Sequence, residues 1–187
     1  MSWPGLATRL EGKLVVLEPI APEHEPGLTE AAADLELFRW IDPPFEFGEA
    51  MRLTQAGEEQ ALTTIDARTG RVIGSTRYLA LRPAARGLEI GWTWLVRDAW
   101  RTGANVEAKL LQLEHCFERL ACVRVEFKTH AQNERSRRAL EALPAQFEGI
   151  FRKHKTFRGG WRDSAYYSIV DDDWPQVRAN LERRLAR

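Results

Sequence analysis

The sequence predicts a mixed α/β fold in which a mostly antiparallel sheet of about seven strands is flanked by helices. A hairpin signal, Thr69-Gly70, separates two β-rich runs, and a third strand-like run follows at 88–96. A helical stripe of apolar residues comes next, with spacings of four and three, at Val106, Leu110, Leu113, Phe117 and Leu120. Successive strands before the first long helix are typical of a mixed sheet and not of a doubly wound parallel sheet. We expect one domain over residues 1–187.

The first part of the chain predicts one strand and one helix. Residues 14–17 form a short β-type run, and apolar residues at helical spacing predict a helix over 21–38 that begins near Pro22. The stretch Asp42-Pro43-Pro44 ends it. Strands are then predicted near 61–67, 72–81 and 88–96.

The second part alternates between helices and strands. Residues 123–129 alternate with period two, which predicts a strand, and Asn133 suits the N-cap of a helix over 133–143. Two strands, 147–157 and 164–170, are joined by a Gly-Gly turn. A last helix opens near 171–175, where acidic residues and a proline favour a helix start.

Composition excludes several classes of function. Hydrophobic residues make up 44%, charged residues 29%, and the formal net charge is zero, so neither nucleic-acid nor membrane-surface binding is supported. No apolar run could span a bilayer and no secretory signal is seen, so we expect a cytoplasmic protein. Cys116 and Cys122 are interpreted as small buried hydrophobes. No spacing of His, Cys, Asp or Glu suggests a metal site.

A strand–turn–helix unit at 88–111 is the most informative feature. The run L-E-I-G-W-T-W-L leads into W-R-T-G-A-N-V-E-A-K-L-L, where Gly103 lies in the turn. A helix start leaves backbone N–H groups unpaired at the positive end of the helix dipole. The unit therefore predicts a site for a diphosphate or a similar anion.

These residues resemble the GNAT superfamily of acetyl-CoA-dependent N-acetyltransferases, and within it the RimJ/RimL-like branch. The resemblance covers about residues 10–175, and three stretches carry it: the strand–turn–helix unit, V-E-F-K-T-H-A-Q-N-E-R-S-R-R-A-L-E-A-L, and F-E-G-I-F-R with the hairpin that ends in A-Y-Y-S-I-V. It implies a GNAT-type sheet splayed between the strands at 88–96 and 122–129. The cosubstrate it implies is acetyl-CoA, without a metal.

The resemblance also implies where acetyl-CoA binds. The family's phosphate loop, [Q/R]-x-x-G-x-[G/A], reads here Trp100 to Asn105, so the glycine is kept and both ends depart from the pattern. The backbone amides expected to bind the diphosphate belong to Arg101, Thr102, Gly103, Ala104, Asn105 and Val106. The pantetheine arm is expected to pair with the backbone of Trp94, Leu95 and Val96.

Two residues of the second helix match the family's Asn-x-x-Ser. Asn133 would bond the pantetheine or help to hold the acetyl group. Ser136 would lie near the sulfur and could protonate the leaving thiolate.

Glu89 is the leading candidate for a general base acting through water. Strict alternation places it on one strand face with Gly91, Thr93 and Leu95, opposite Trp92 and Trp94. The alternatives are a solvated glutamate or one paired with an arginine. His154 could take the role, since some relatives carry a glutamate in that region, but a surface histidine is the simpler reading.

Other side chains were open to two interpretations. The basic segment 151–158 is either a solvated strand face or a patch that steers an anionic ligand. Alternation turns only one of Tyr166 and Tyr167 inward, and either could be an acid. Trp92 and Trp94 are expected in the core, whereas Trp40 and Trp161 could line an acceptor pocket.

The resulting hypothesis is an N-acetyltransferase in which a primary amine attacks acetyl-CoA directly. The acceptor is a protein N-terminus or a small-molecule amine, and a homodimer is compatible with the resemblance. The alternative is a catalytically weak module that binds CoA or acyl-CoA as a sensor or partner surface.

Overall fold

The computed structural model describes residues 3–186 and contains, in that range, a single sheet of eight strands in the order β1-β2-β3-β4-β5-β6-β8-β7. The strands are β1 (Leu10–Glu11), β2 (Val15–Pro19), β3 (Gln60–Asp66), β4 (Val72–Arg82), β5 (Gly87–Leu95), β6 (Arg124–His130), β7 (Gln146–Phe157) and β8 (Gly160–Val170). The predicted mixed sheet is confirmed, and the additional strand is the two-residue β1.

Five α-helices flank this sheet in the described part of the chain. They are α1 (Glu25–Ala31), α2 (Phe47–Gln55), α3 (Ala104–Glu114), α4 (Glu134–Ala142) and α5 (Trp174–Leu185). A π-helical turn at His115–Arg119 extends α3. None of the helices formed by residues 3–186 has the length and apolarity that crossing a bilayer requires.

The strands β5 and β6 are parallel neighbours that stay paired only briefly. Their partners are Gly87 with Arg124, Leu88 with Val125 and Glu89 with Glu126, whereas every other neighbouring pair is antiparallel. Beyond Glu89 the two strands diverge, which confirms the predicted splay. Because β5 leads towards α3 and β6 leads into α4, the starts of both helices lie at the open end.

Two apolar clusters cover the two faces of the sheet. The larger lies on the face packed by α3, α4 and α5, which we call the α3 face, and includes Leu88, Ile90 and Leu95. The smaller lies on the face packed by α1, α2 and the 3₁₀ turn at Leu35–Phe38, which we call the α1 face, and includes Trp94. Cys116 and Cys122 are both buried in the larger cluster, as predicted.

The predicted helix over 21–38 is wrong in its length. The structure has a 3₁₀ turn at Pro22–His24, then α1, and a separate 3₁₀ turn at Leu35–Phe38. Asp34 causes the break, since its side chain accepts a hydrogen bond from the backbone N–H of Glu36 and caps a new turn. Helix α2 follows the Pro43-Pro44 pair and was not predicted.

A bulge in β5 overturns the predicted face of Glu89. Ser75 is paired with Trp94 but Arg77 with Gly91, so Trp92 and Thr93 together stand opposite one residue of β4, and Trp92 has φ of +50°. The bulge reverses the alternation of side chains. Glu89 therefore shares the α1 face with Trp92 and Trp94 rather than with Thr93 and Leu95. Trp94 is buried as predicted, whereas Trp92 is only partly buried and lies 4.3 Å from the Arg77 guanidinium.

Glu107, in the first turn of α3, anchors this helix to the β1–β2 hairpin. Its carboxylate accepts hydrogen bonds from the backbone N–H groups of Lys13, Leu14 and Val15 at 2.9, 2.6 and 2.8 Å. Gly12 is required beside it, because a Cβ there would lie 2.3 Å from the Glu107 carboxylate. This contact fixes where the amino terminus of α3 stands.

Lys109, two residues further along α3, is a buried lysine that connects the helix to the bulge. Its ammonium donates hydrogen bonds to Thr93 Oγ1 and Gln112 Oε1, both at 2.9 Å, and to Thr76 Oγ1 at 3.4 Å. Burial lowers the pKa of Lys109 to about 7. The group is therefore easily deprotonated in the native protein.

Replacement of Glu107 by glutamine should destabilise the protein. The amide cannot accept from all three N–H groups and turns its own donors towards one of them, which should cost about 1–3 kcal/mol of unfolding free energy in urea denaturation. Glu114→Gln on the same helix is the control, because its partly exposed carboxylate lies 3.6 Å from Arg178 and should contribute less than about 0.5 kcal/mol. Equal effects of the two substitutions would contradict the anchoring role.

The stability of the protein should depend on pH through Lys109. The unfolded chain keeps this lysine protonated up to about pH 10, whereas the native state releases the proton near pH 7, so stability should rise with pH between these values. From pH 7 to 9 the wild type should gain about 2 kcal/mol relative to Lys109→Met, measured by urea denaturation. Parallel curves for the two proteins would mean that Lys109 titrates as an ordinary lysine.

Candidate active site

The amino terminus of α3 presents a set of backbone amides without helical partners. The helix begins at Ala104, so the N–H groups of Ala104, Asn105 and Val106 have no residue four positions earlier inside the helix. Gly103 is the N-cap with φ of +93°, where a Cβ would also lie 2.9 Å from a methyl carbon of Leu14. A turn of this shape directs its amides towards an anion.

Cationic side chains surround the same turn. Arg135, from the first turn of α4, stacks on the Trp100 ring at 4.2 Å, and the Arg97 guanidinium lies 5.4 Å from that ring. Burial, together with the charge of Arg97, lowers the pKa of Arg135. Arg101 is exposed in the turn itself. The start of α4 is thus close to the start of α3. Arg97 is paired with Asp34, whereas Arg135 and Arg101 form no ion pair within residues 3–186.

Trp100 also contacts the end of β5. Its indole N–H donates a hydrogen bond of 2.8 Å to the carbonyl oxygen of Leu95, while the N–H of Val96 donates to the carbonyl of Ile73. The N–H of Ala99 also donates to the carbonyl of Val96, so two backbone acceptors in the segment 94–96 are already in use. A ligand that pairs with this segment must share the Leu95 carbonyl with the indole or displace it.

Asn133 and Ser136 lie together at the start of α4. Asn133 is the predicted N-cap, and its side-chain oxygen accepts a hydrogen bond of 3.2 Å from the backbone N–H of Ser136. Asn133 is buried and Ser136 is partly buried. Both follow the end of β6 and so stand at the open end of the splay, as do residues 101–106 after β5.

Glu89 occupies the last paired position before β5 and β6 separate. It is 4% exposed, and its Oε2 accepts a hydrogen bond of 2.9 Å from the ammonium of Lys128 on β6. Its Oε1 lies beside Gly91, where a Cβ would approach it to 3.0 Å. Glu89 is therefore an ion-paired carboxylate, with lysine rather than arginine as its partner, and one of its oxygens faces space left by a glycine.

A continuous series of polar contacts, which we call the polar row, runs from Glu89 along the α1 face of β6 and β8. The Lys128 ammonium lies 5.7 Å from the centre of the Tyr166 ring. The Tyr166 hydroxyl and His154 Nε2 are 3.1 Å apart, and His154 Nδ1 is 3.1 Å from Ser164 Oγ. Arg162 Nε donates to the same Ser164 Oγ at 3.1 Å. Of the two tyrosines, Tyr167 is fully buried on the opposite face.

The surroundings of the polar row shift the pKa values of two of its side chains. Burial and the charges of Lys128, Arg162 and Lys155 lower the pKa of His154, so its imidazole is neutral at pH 7. Burial raises the pKa of Tyr166, which keeps its proton there. The row thus holds a neutral histidine and a tyrosine hydroxyl close to the Glu89–Lys128 ion pair.

The aromatic residues considered for an acceptor pocket lie near the end of β6. Trp40 packs on the His130 ring at 4.7 Å, and the backbone N–H of Arg158 donates to Asp42, so the β7–β8 hairpin touches the segment after α1. Trp161 is 65% exposed and lines a cavity of about 280 Å³ with His130. This cavity lies beyond the polar row rather than at the start of α3.

Sequence reasoning missed Lys128, Arg135, Arg162 and Ser164. Lys128 was available from the alternation in β6, which turns it to the same face as Glu126 and therefore Glu89. The contact between Arg135 and Trp100 joins separate elements and has no local signal. Among residues 3–186, no group of three or more His, Cys, Asp or Glu side chains could hold a metal ion.

Comparisons with known proteins agree with this geometry. Residues 15–146 match the acetyltransferase (GNAT) domain. A GCN5-related N-acetyltransferase from Brucella melitensis has a TM-score of 0.85 and 30% identity, over 95% of this chain and 85% of that chain. Mycobacterium smegmatis RimJ, in complex with CoA-disulfide, has a TM-score of 0.80 at 20% identity over 98% and 97% of the two chains, which shows a shared fold alone.

A curated relative matches over a shorter region. The uncharacterized N-acetyltransferase YoaA of Bacillus subtilis (strain 168) is 30% identical over 102 residues, which is 54% of this chain and 57% of that protein. The chain thus spans little more than half of this relative's length. Since the GNAT domain covers most of the chain and the splayed sheet carries its architecture, the protein belongs to the GNAT acetyltransferase family.

Proposed function

We propose that the protein transfers an acetyl group from acetyl-CoA to a primary amine by direct attack, as an N-acetyltransferase. The observation that carries the proposal is the divergence of β5 and β6 immediately after Glu89, which leaves a cleft whose open end is bordered by the starts of α3 and α4. The acceptor is a protein N-terminus or a small-molecule amine.

The residues present fit acetyl-CoA. The amides of Arg101, Thr102, Gly103, Ala104, Asn105 and Val106 would bind the diphosphate, supported by the positive charge of Arg135 and Arg101. The backbone of Trp94, Leu95 and Val96 would pair with the pantetheine arm. When bound, acetyl-CoA supplies the activated acetyl group.

Side chains of the protein would then accept and donate the protons of the reaction. Glu89, through its Oε1 and a water molecule, would accept the proton of the amine, while Lys128 holds Oε2. Asn133 would help to hold the acetyl group while the C–N bond forms and the C–S bond breaks. Ser136 would protonate the leaving thiolate and regain a proton from water, and Glu89 would return the amine's proton to water. Tyr166 is a second proton donor within the polar row, since it remains protonated at neutral pH.

One observation favours the alternative, a CoA-binding module without efficient turnover. The Trp100 indole already occupies the Leu95 carbonyl, which could hold the pantetheine arm in an unproductive position. Thiol release that depends on added amine distinguishes the two functions, because a binding module takes up CoA but does not consume acetyl-CoA.

A negative charge at the start of α3 should weaken CoA binding. Asn105 is exposed in the first turn, so Asn105→Asp adds charge without altering the strained turn at Gly103. Repulsion at about 5 Å from one phosphate in a medium of effective dielectric constant near 20 is worth about 3 kcal/mol before screening by salt. We expect the Kd for CoA, measured by calorimetry, to rise about ten- to a hundredfold.

Asn105→Ser is the matched control, since it removes the amide without adding charge. Its Kd should stay within about threefold of the wild type. If the aspartate and serine variants bound CoA equally well, the assignment of the diphosphate site to this turn would be lost.

Replacement of Glu89 by glutamine should lower kcat while leaving CoA affinity nearly unchanged. Loss of a general base reduces the rate by about 10²- to 10⁴-fold, measured as thiol release with saturating amine. The substitution also leaves Lys128 without its partner, so a structural explanation must be separated from a chemical one.

The double variant Glu89→Gln, Lys128→Met makes that separation. If Glu89 is the base, removal of Lys128 will restore stability but not turnover. Recovery of kcat in the double variant would show instead that Glu89 serves only to neutralise the lysine.

A further inference from the structure

Arg162, at the far end of the polar row, is a nearly buried cation with unused hydrogen-bonding groups. It is 6% exposed, and within residues 3–186 its only side-chain hydrogen bond runs from Nε to Ser164 Oγ. Its terminal nitrogens form no hydrogen bond and no ion pair in that range, and neither belongs to the fully enclosed unpartnered atoms. They are therefore hidden from most of the solvent but keep some contact with it.

Lys155 adds a second cation at the same place. It is the cross-strand partner of Arg162 in the β7–β8 pair and is partly buried. Burial, followed by the charges of Arg162 and Lys128, lowers the pKa of Lys155. Lys155 and Arg162 therefore destabilise each other's charged form.

The carboxylates in the neighbourhood, Glu89 and Asp42 among them, offset this charge only in part, since within residues 3–186 none forms an ion pair with Arg162 or Lys155. Glu89 is already paired with Lys128. Asp163 accepts a hydrogen bond from the backbone N–H of Lys153, and Asp42 accepts one from the backbone N–H of Arg158. Within the described residues, the Arg162 guanidinium and the Lys155 ammonium therefore lack a carboxylate in direct contact.

Two adjacent, poorly solvated cations are costly unless an anion joins them. The planar guanidinium presents paired N–H donors that match the two oxygens of a carboxylate or a phosphate. An anion at this point would relieve the repulsion between Arg162 and Lys155 and satisfy the donors that the protein leaves unused. Within the basic segment 151–158, Lys155 stands where it would meet such an anion.

We propose that the acceptor is a primary amine that also carries a carboxylate or phosphate group, bound by Arg162 and Lys155 while the amine lies near Glu89. This inference rests on the proposed function, since it assigns the acceptor to the α1 face of the same cleft. Arg162 lies four positions before Tyr166 in β8, a backbone distance of about 13 Å. Its side chain turns back along the strand to Ser164, so the guanidinium lies closer to Glu89 than its backbone does, and a short ligand would lie along the polar row.

Paired acceptors that differ only in the anionic group provide the test. Acetyl-CoA-dependent thiol release is measured with γ-aminobutyrate against its amide, and with phosphoethanolamine against ethanolamine. We expect the anionic member of at least one pair to have a kcat/KM more than tenfold higher, mainly through KM. The pair that shows the larger ratio distinguishes a carboxylate from a phosphate.

Substitutions then identify the residues that cause the preference for anionic over neutral amines. Arg162→Gln should reduce the anionic-to-neutral ratio at least tenfold, and Arg162→Lys, which keeps the charge but not the fork, should reduce it less. Arg152→Gln is the control, because this exposed arginine of β7 loses the same charge outside the row and should keep the ratio. If Arg162→Gln fails to fold, as judged by thermal unfolding, Lys155→Met supplies the same comparison.

The outcomes separate the inference from the proposed function. Acetylation of anionic and neutral amines at equal kcat/KM, or a ratio unchanged in the Arg162 and Lys155 variants, overturns the inference and leaves the acetyltransferase intact. Absence of thiol release with every amine counts against the proposed function. In that case calorimetry of γ-aminobutyrate and phosphoethanolamine with the CoA-loaded protein still tests the anion site. Binding by the wild type that is lost in Arg162→Gln supports the site. Absence of binding by the wild type rejects it.

Discussion

The separation of β5 from β6 after only three residue pairs is the constraint on which the other features of the site depend. Two parallel strands that stop pairing leave backbone donors and acceptors without partners, and such groups must find a ligand, water or a side chain. The Trp100 indole N–H provides one such partner, since it donates a hydrogen bond to the carbonyl of Leu95. The divergence also sends the chain into α3 and α4 on either side of one opening, which brings residues 101–106 near Asn133 and Ser136.

Buried polar contacts hold this opening in place. Glu107 attaches the start of α3 to the β1–β2 hairpin, and Lys109 attaches the same helix to the bulge in β5. Because each group is almost fully removed from water, loss of a partner would leave an unsatisfied charge or donor, which is more costly than loss of an exposed pair. The position of α3, and with it the direction of its amides, therefore depends on polar groups in addition to the apolar stripe of the helix.

Much of the fold was predictable because it follows from periodicity. The helix α3, the alternation of β6 and the N-cap at Asn133 are local patterns, and each was found at its place. The predicted stripe of α3 is only partly the buried face, which also carries Glu107, Lys109 and Gln112 because their polar groups have buried partners. The face of Glu89 was not predictable, since the bulge at Trp92 is set by pairing with β4 and not by the sequence of β5. The polar row has the same character: His154 meets Tyr166 only because β7 pairs with β8, and Lys128 meets Glu89 only across the splay.

Acetyl transfer by this protein requires that the amides at the start of α3 bind the diphosphate of CoA. The most direct measurement is a crystal structure of the protein grown with CoA. It should show the diphosphate oxygens within hydrogen-bonding distance of the N–H groups of residues 102–106, and the pantetheine arm running between β5 and β6 towards Glu89. A CoA molecule bound elsewhere on the protein, with these amides facing solvent, would contradict the account.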